Sequence, residues 1–294
     1  MDQTEVKVHP AQSAVNSTLL GVKSVLTASQ KAQFDRDGFI IVRNLLDQEE
    51  TDILVRTAKS DPAFKQHAHG VADPDGKKVK MALWNHPSDD VYGTISRLPK
   101  VVDTLEHLLG DEVYHYHSKM VIKEPFTGGS FCWHQDYGYW YLNGCLFPDM
   151  GSVMVAVDPN TKENGCLQVL KGSHLLGRVE HGRYGEQTGA DPERCEQAQK
   201  ALELVYCEMA PGDALFFHCN TLHRSQANTS PHPRWSLLCC YNTKHNNPYK
   251  ESHHPFYEPL VKAQEDAVRR YGVRQAEVGK RFWHPSEDKT VGAD

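Results

Sequence analysis

The segment Leu-Val-Tyr-Cys-Glu-Met-Ala-Pro-Gly-Asp-Ala-Leu-Phe-Phe, residues 204–217, shows the pattern that decides the fold. Two short apolar runs flank Pro211-Gly212-Asp213, which is typical of a tight turn because proline presets φ and glycine accepts positive φ. Similar runs recur through the middle of the chain, and the predicted strands are 113–123, 131–140, 153–158, 166–170, 204–209, 214–217 and 235–242. So many short strands in about 130 residues predict a β-sandwich or barrel rather than a parallel α/β sheet.

Helical signals lie on both sides of this strand-rich region. The spacing of Thr27 and Gln30 predicts a capping box, and Gly38 ends that helix before the β-rich run 39–42. Comparable signals predict a helix that begins after Asp47, a helix over 99–109 and a last helix over 259–271. We therefore expect a mainly β fold with flanking helices packed outside it.

The remaining stretches are polar. Residues 1–26 predict a loosely ordered extension, which leaves residues 27–294 as a single domain that ends in the C-terminal helix. Residues 68–80, rich in Gly, Asp and Lys, predict a surface loop. Residues 174–199 interrupt the strand series and predict an excursion over the surface or the mouth of a site.

Composition excludes several classes of protein. The chain has 294 residues, 39% hydrophobic content and a net charge of -6. No apolar run is long enough to cross a bilayer, and the N-terminus lacks the apolar core of a secretory signal, so we expect a cytoplasmic protein with no membrane partner. No cluster of basic residues indicates a nucleic-acid partner. The eight cysteines form no CxxC pair and read as reduced, mostly buried thiols.

A candidate metal site comes from histidine and aspartate. On a strand, His134 and Asp136 project to the same side, and His223 follows a neighbouring predicted strand. Two imidazoles and one carboxylate on one face of an octahedron are the ligand set of non-haem Fe(II) oxygenases. Since isolated His-x-Asp pairs are usually surface coincidences, this pattern alone is a weak signal.

A candidate anion site lies near Arg234. This residue opens the apolar strand 235–240, where a guanidinium is costly unless it meets a carboxylate. A dicarboxylate such as 2-oxoglutarate could chelate iron at one end and pair with Arg234 at the other, with the Ser225 hydroxyl nearby.

Four blocks of sequence resemble one family in the right order. They are Trp133-His134-Gln135-Asp136-Tyr137 with Trp140, Glu163-Asn164-Gly165-Cys166-Leu167 with Lys171-Gly172-Ser173-His174, His223-Arg224-Ser225, and Pro231-His232-Pro233-Arg234. From about Phe34 to Asn242, the chain resembles the phytanoyl-CoA dioxygenase (PhyH) family, and within it the bacterial ectoine and free-proline hydroxylases.

This resemblance implies a double-stranded β-helix, or jelly-roll, fold. It also implies Fe(II) held by His134, Asp136 and His223, and 2-oxoglutarate contacts from Arg234, Ser225 and Trp140. The chain departs from the pattern at His117, where these hydroxylases usually carry a glutamine near the 2-oxoglutarate. A titratable ring there predicts that 2-oxoglutarate affinity varies between about pH 6 and 8.

The resulting hypothesis is a dioxygenase that uses Fe(II), 2-oxoglutarate and O2 to hydroxylate a small polar or zwitterionic molecule, such as an amino acid or ectoine. Lys119, on the same predicted strand face as His115 and His117, and Trp84 are the candidate substrate residues, although Trp84 could equally lie in a surface turn. The pair His253-His254 receives no function.

The alternatives are an acyl-CoA α-hydroxylase of the same family and a non-catalytic barrel that binds metal or 2-oxoglutarate. The substrate and the oligomeric state cannot be read from the sequence.

Overall fold

The computed structural model describes residues 26–276, 280–284 and 287. Except for Leu26, the predicted N-terminal extension therefore lies outside the described residues. The strands are β1 Phe39–Val42, β2 His69–Ala72, β3 Lys78–Trp84, β4 Val113–Lys123, β5 Phe131–His134, β6 Met150–Ala156, β7 Leu167–Leu170, β8 His181–Tyr184, β9 Gln187–Ala190, β10 Leu204–Cys207, β11 Ala214–His218, β12 His223–Ser225 and β13 Arg234–Thr243. The α-helices are α1 Ala28–Asp37, α2 Gln48–Ser60, α3 Ala63–His67, α4 Val91–Ser96, α5 Pro99–Leu109, α6 Tyr137–Trp140, α7 Pro192–Ala201 and α8 Ala267–Tyr271.

Two antiparallel sheets form the centre of the fold. The larger sheet has the strand order β1-β11-β6-β13-β4-β3-β2, and the smaller has the order β10-β7-β12-β5. Their side chains meet in one apolar cluster, to which Phe217 contributes from the larger sheet and Val169 from the smaller. Because the two sheets face each other across this cluster, the fold is a jelly roll, and the predicted mainly β fold is confirmed. That residues 27–294 form a single domain stays a prediction.

Helices cover the outer face of the larger sheet. Leu54 of α2 and Val101 of α5 share an apolar cluster with Phe216 of β11. The local signals that predicted α1 are confirmed: the capping box at Thr27 is present, and Gly38 ends the helix with φ 82°. Such caps are read correctly from sequence because their partners lie within four residues.

The predicted surface loop over 68–80 is wrong, since this segment contains the hairpin of β2 and β3. Asp73 organises the turn: its Oδ1 accepts hydrogen bonds from the amides of Asp75 and Lys77, and its Oδ2 accepts one from the amide of Ser130. The polar composition reflects an edge strand and a tight turn at Gly76, where φ is 77°. Polar character alone did not distinguish these from a loop.

The predicted strand over 131–140 is also shorter. β5 ends at His134, and Asp136 has helical dihedral angles (φ -59°, ψ -38°) at the start of α6. The amide of Trp140 donates to the carbonyl of Asp136 over 3.2 Å. A turn of helix therefore replaces the strand after His134.

Two further segments differ from the prediction. The excursion over 174–199 has its own structure, the hairpin of β8 and β9 followed by α7. The C-terminal helix covers only Ala267–Tyr271. The residues before it form no helix or strand. There the amide of Ala263 donates to the carbonyl of Arg97, and Lys262 pairs with Asp103 and Glu106 of α5. These tertiary contacts override local helical preference. None of the helices described here is long and apolar enough to span a membrane.

A buried ion pair holds the segment 280–284 against the fold. Lys280 Nζ lies 2.6 Å from Asp90 Oδ2, and the two side chains are 3% and 0% exposed. Asp90 also caps α4 by accepting from the amide of Gly93, while Lys280 lies over the indole of Trp84 at 4.2 Å. Beyond it, the amide of Trp283 donates to the carbonyl of Leu83.

Removal of Lys280 should therefore destabilise the protein strongly. We expect Lys280→Met to lower the free energy of unfolding by about 3–5 kcal/mol, because it leaves the Asp90 carboxylate buried without a counter-ion. Combining it with Asp90→Asn should recover part of the loss. The matched control is Lys31→Met, which breaks the partly exposed pair with Asp35 on α1 and should cost under about 1 kcal/mol. Equal losses in chemical denaturation of the two single variants would contradict this account.

Candidate active site

A cavity of about 180 Å³ opens between the two sheets. Most of the residues singled out from the sequence line it, namely His117, Lys119, His134, Trp140, His223, Ser225 and Arg234. Its other walls are largely apolar and include Met81 and Leu83 of β3. The fold thus brings residues from distant parts of the chain to one cavity.

A His-Asp-His cluster lies at one end of this cavity. His223 at the start of β12 pairs directly opposite His134 at the end of β5. Asp136 Oδ1 lies 3.8 Å from His223 Nε2 and 4.0 Å from His134 Nε2. One ligand atom from each residue lies within 4.8 Å of the others, so the three can hold one metal ion. The predicted grouping is present, although a turn of helix rather than strand alternation orients Asp136.

Hydrogen bonds orient both imidazoles for metal binding. His134 Nδ1 lies 2.9 Å from the carbonyl oxygen of Cys132, and His223 Nδ1 lies 2.8 Å from that of Thr221. Since a carbonyl only accepts, each Nδ1 carries the proton and each Nε2 presents its lone pair toward Asp136. This arrangement, with the outer ring nitrogen bonded to the backbone, is common for histidine ligands of metals.

The ionisation states also suit a divalent cation. Burial lowers the pKa of His134 well below its ordinary value and lowers that of His223, so both rings are neutral ligands at neutral pH. Burial opposes ionisation of Asp136, but interactions with His223 and Lys119 outweigh it and lower the pKa of Asp136. Asp136 accepts hydrogen bonds from Tyr139 and Ser152 as well. The donor set is one carboxylate and two neutral imidazoles, which fits Fe(II).

A buried cationic region lies at the Arg234 side of the cavity. The Arg234 guanidinium is 2% exposed and donates only to the carbonyl of Gly165, from Nε and Nη2, among the residues described here. Burial lowers the pKa of Arg234 to about 10, so it stays charged at neutral pH. Lys123, which sequence reasoning did not single out, lies opposite it on β4 and is fully buried. Burial, followed by the charge of Arg234, lowers the pKa of Lys123 well below its ordinary value. An anion bound here would compensate the charge of Arg234.

The position of His117 depends on a bulge in β4. His115 and His117 pair with the adjacent residues Tyr241 and Cys240, so Tyr116 is an extra residue in the strand. His117 and Lys119 face the cavity. The buried ring of His115 lies on the opposite face of the strand, where it bonds to the carbonyl of Asn85. The expectation that His115 shares their face is therefore wrong.

The pH dependence expected from His117 is also revised. Burial, followed by interactions with His254 and Lys119, lowers the pKa of His117 well below its ordinary value. The ring is therefore neutral throughout the range from about pH 6 to 8 that the reference pKa suggested. Its charge does not change within that window.

Two other assignments need correction. Trp84 does not line the cavity: it lies on the opposite face of β3 from Met81 and Leu83 and is packed against Phe64 and Tyr92. Conversely, His253 and His254, to which no function was given, do line the cavity. They follow β13 in a segment without regular structure, where no sequence periodicity indicates the direction of a side chain.

The sequence of residues 34–236 matches the family described as phytanoyl-CoA dioxygenase (PhyH). Ectoine dioxygenase from Bordetella bronchiseptica is 28% identical over 257 residues, which is 81% of this chain and 83% of that protein. L-proline trans-4-hydroxylase from Streptomyces griseoviridis is 30% identical over 244 residues, or 77% of this chain and 90% of that protein.

Solved structures give the same picture. EctD from S. alaskensis with bound Fe superposes with a TM-score of 0.64 at 27% identity, covering 85% of this chain and 86% of that one. The same protein with 2-oxoglutarate and 5-hydroxyectoine gives a TM-score of 0.64 at 26% identity, covering 88% of this chain and 87% of that one. The fold of this chain thus matches that of solved structures that contain iron or 2-oxoglutarate.

Metal binding tests the His-Asp-His cluster directly. We expect the purified chain to bind one Fe(II), and His134→Ala or Asp136→Ala to abolish this binding, because two ligands do not compensate the lost coordination. Anaerobic metal analysis measures the stoichiometry without reference to activity. His107→Ala, which removes a histidine of α5, is the control and should bind as the parent does. Unchanged iron content in both cluster variants would refute the assignment.

Proposed function

The chain belongs to the phytanoyl-CoA dioxygenase family, and from this premise we propose that it hydroxylates an unactivated C–H bond of a small polar or zwitterionic molecule. It is an Fe(II)- and 2-oxoglutarate-dependent dioxygenase: its relatives are named ectoine dioxygenase and L-proline trans-4-hydroxylase, and the matching EctD structures contain Fe or 2-oxoglutarate. The observation that carries the proposal is the His-Asp-His cluster in the same cavity as the buried Arg234.

In this proposal His134, Asp136 and His223 hold Fe(II). The bound metal with 2-oxoglutarate and O2 supplies the oxidising chemistry, which yields succinate, CO2 and the hydroxylated substrate. The protein's own residues bind and orient the substrate and the co-substrate, and they exclude water from the site. Tyr139 and Ser152 keep the Asp136 carboxylate in place through their hydroxyl groups.

Arg234 binds the far carboxylate of 2-oxoglutarate in this proposal, and Ser225 and Trp140, which line the same cavity, contact the co-substrate as well. A guanidinium fork matches a carboxylate with two parallel hydrogen bonds, and Arg234 has donors to spare because it bonds only one carbonyl among the described groups. The charges also balance: Fe(II) and Arg234 together neutralise Asp136 and the two carboxylates of 2-oxoglutarate.

Lys119 and His117 also line the cavity, and this proposal assigns both to the substrate, so that His117 moves from the 2-oxoglutarate contact expected from the sequence. Lys119 is in direct contact with no carboxylate among the described residues, although its charge helps to lower the pKa of Asp136, so a substrate carboxylate can pair with it directly. The family alternative, an acyl-CoA substrate, would need a basic surface for the CoA phosphates, and this chain has 38 acidic residues against 32 basic ones. A small carboxylate-bearing molecule fits the cavity better.

Loss of the Arg234 guanidinium should weaken co-substrate binding. We expect Arg234→Ala to raise the Kd for 2-oxoglutarate by about 10-fold to 100-fold, the loss of a buried charge-assisted pair. Calorimetry with the metal-loaded protein measures this. The control is Arg224→Ala, because Arg224 points away from the cavity, onto Trp133 and Gln168. An unchanged Kd in Arg234→Ala would refute the anchor.

A substrate panel tests the reaction itself. We expect one or more of the amino acids, betaines or ectoine to stimulate succinate formation and acquire one oxygen atom, and acyl-CoAs to have no effect. Mass spectrometry of the product and a succinate assay report both halves of the reaction. Stimulation by acyl-CoAs alone would replace the proposal with the family alternative.

A further inference from the structure

One wall of the cavity is a row of aromatic rings contributed by three parts of the chain. The imidazoles of His117 and His254 are stacked, with centroids 5.0 Å apart and planes at 29°. His253 lies 4.0 Å from His254 and 4.8 Å from the indole of Trp283. All four residues line the cavity. The row therefore joins β4, the segment after β13 and the C-terminal segment that Lys280 holds in place.

Several polar atoms in this row are buried with no hydrogen-bond partner among the described residues. They include Nε1 of Trp283, Nδ1 of His117 and Nδ1 of His254, and the two histidines are 4% and 8% exposed. The two histidines of the metal cluster differ in this respect, since Nδ1 of both His134 and His223 bonds to a backbone carbonyl. A buried polar atom without a hydrogen bond is costly, so a pair of them on a cavity wall indicates a ligand that satisfies them.

The charges around the pair restrict what that ligand can be. Burial holds both rings neutral, and Lys119, His253, Arg183 and Glu186 are the other titratable groups on the cavity walls near them. Glu186 is exposed at the rim and accepts from the amide of Ala72. Lysine can only donate hydrogen bonds, whereas a neutral imidazole offers an acceptor nitrogen as well. The cavity lining near the pair therefore combines cationic donors, Lys119 and the exposed Arg183, with neutral acceptors.

We infer that Lys119 binds the carboxylate of the substrate and that His117 and His254 bind its amino or imino nitrogen, with His254 as the residue that determines specificity for that nitrogen. The inference rests on the proposed function and deepens it. An ammonium N–H donates to an imidazole nitrogen, the carboxylate pairs with Lys119, and the apolar walls at Met81, Leu83 and Val121 receive the hydrocarbon part. The class of substrate is an amino or imino acid with an unblocked nitrogen.

The experiment measures ligand binding to the chain loaded with Mn(II) and 2-oxoglutarate, without turnover. The twenty protein amino acids and ectoine are titrated first. The strongest binder is then compared with its des-amino carboxylic acid and its decarboxylated amine, which for L-proline are cyclopentanecarboxylate and pyrrolidine. We expect the complete molecule to bind at least about 10-fold more tightly than either fragment.

Variants of His254 then assign the nitrogen contact. His254→Phe keeps a ring in the row and removes the hydrogen bond. It should therefore raise the Kd of the amino acid about 10-fold and change the Kd of the des-amino acid by less than about threefold. His254→Gln restores a donor and an acceptor and should recover most of the loss. His107→Phe, on the outside of the fold, is the control. Lys119→Met should weaken the binding of the amino acid and of the des-amino acid to the same extent, because both carry the carboxylate.

Two results would overturn the inference. One is that His254→Phe leaves binding of the amino acid unchanged or weakens both ligands equally, which is what a packing role predicts. The other is that no amino or imino acid binds, or that the des-amino acids bind as tightly as the amino acids. In each case, intact binding of Mn(II) and 2-oxoglutarate would leave the proposed function standing, whereas loss of both in the parent chain would refute the proposed function itself.

Discussion

The cross-strand pairing of His223 with His134 is the interaction on which the site depends. These residues are 89 positions apart in the sequence, and the antiparallel register of β12 with β5 brings their rings to 4.1 Å. A shift of one residue in this register would turn one imidazole to the other face of the sheet. Asp136 then completes the cluster from the turn of helix that directly follows β5. The metal-binding geometry is thus a property of sheet pairing.

Buried charge is the second constraint on the molecule. Arg234 is buried and bonds only a carbonyl among the described residues, and Lys119 faces the same cavity with no carboxylate in direct contact among them. Isolated buried cations are costly. In the proposed complex the carboxylates of the co-substrate and the substrate offset this cost, so the unliganded protein retains cationic positions that its ligands neutralise. By contrast, Lys280 has its counter-ion within the chain, at Asp90.

Much of the fold was predictable because its signals are local. Helix caps at Thr27 and Gly38 involve partners a few residues away, and the turn at Pro211-Gly212-Asp213 follows from the dihedral preferences of those residues. Failures occurred where tertiary contacts decide conformation. The edge hairpin of β2 and β3 reads as a polar loop, and Trp84 has no feature in the sequence to show that its face packs under α3 and α4.

By itself, the sequence determined the fold class from its strand pattern and identified Arg234 as a buried cation from its place at the start of an apolar strand. The members of the metal cluster followed from the four sequence blocks that resemble the phytanoyl-CoA dioxygenase family, because the His-x-Asp pattern alone is a weak signal. Only the tertiary structure decided which side chains share the cavity. The extra residue at Tyr116 turns His115 away from His117, and the irregular segment after β13 brings His254 to His117. Neither outcome follows from periodicity, since a bulge breaks the alternation of a strand and an irregular segment has none.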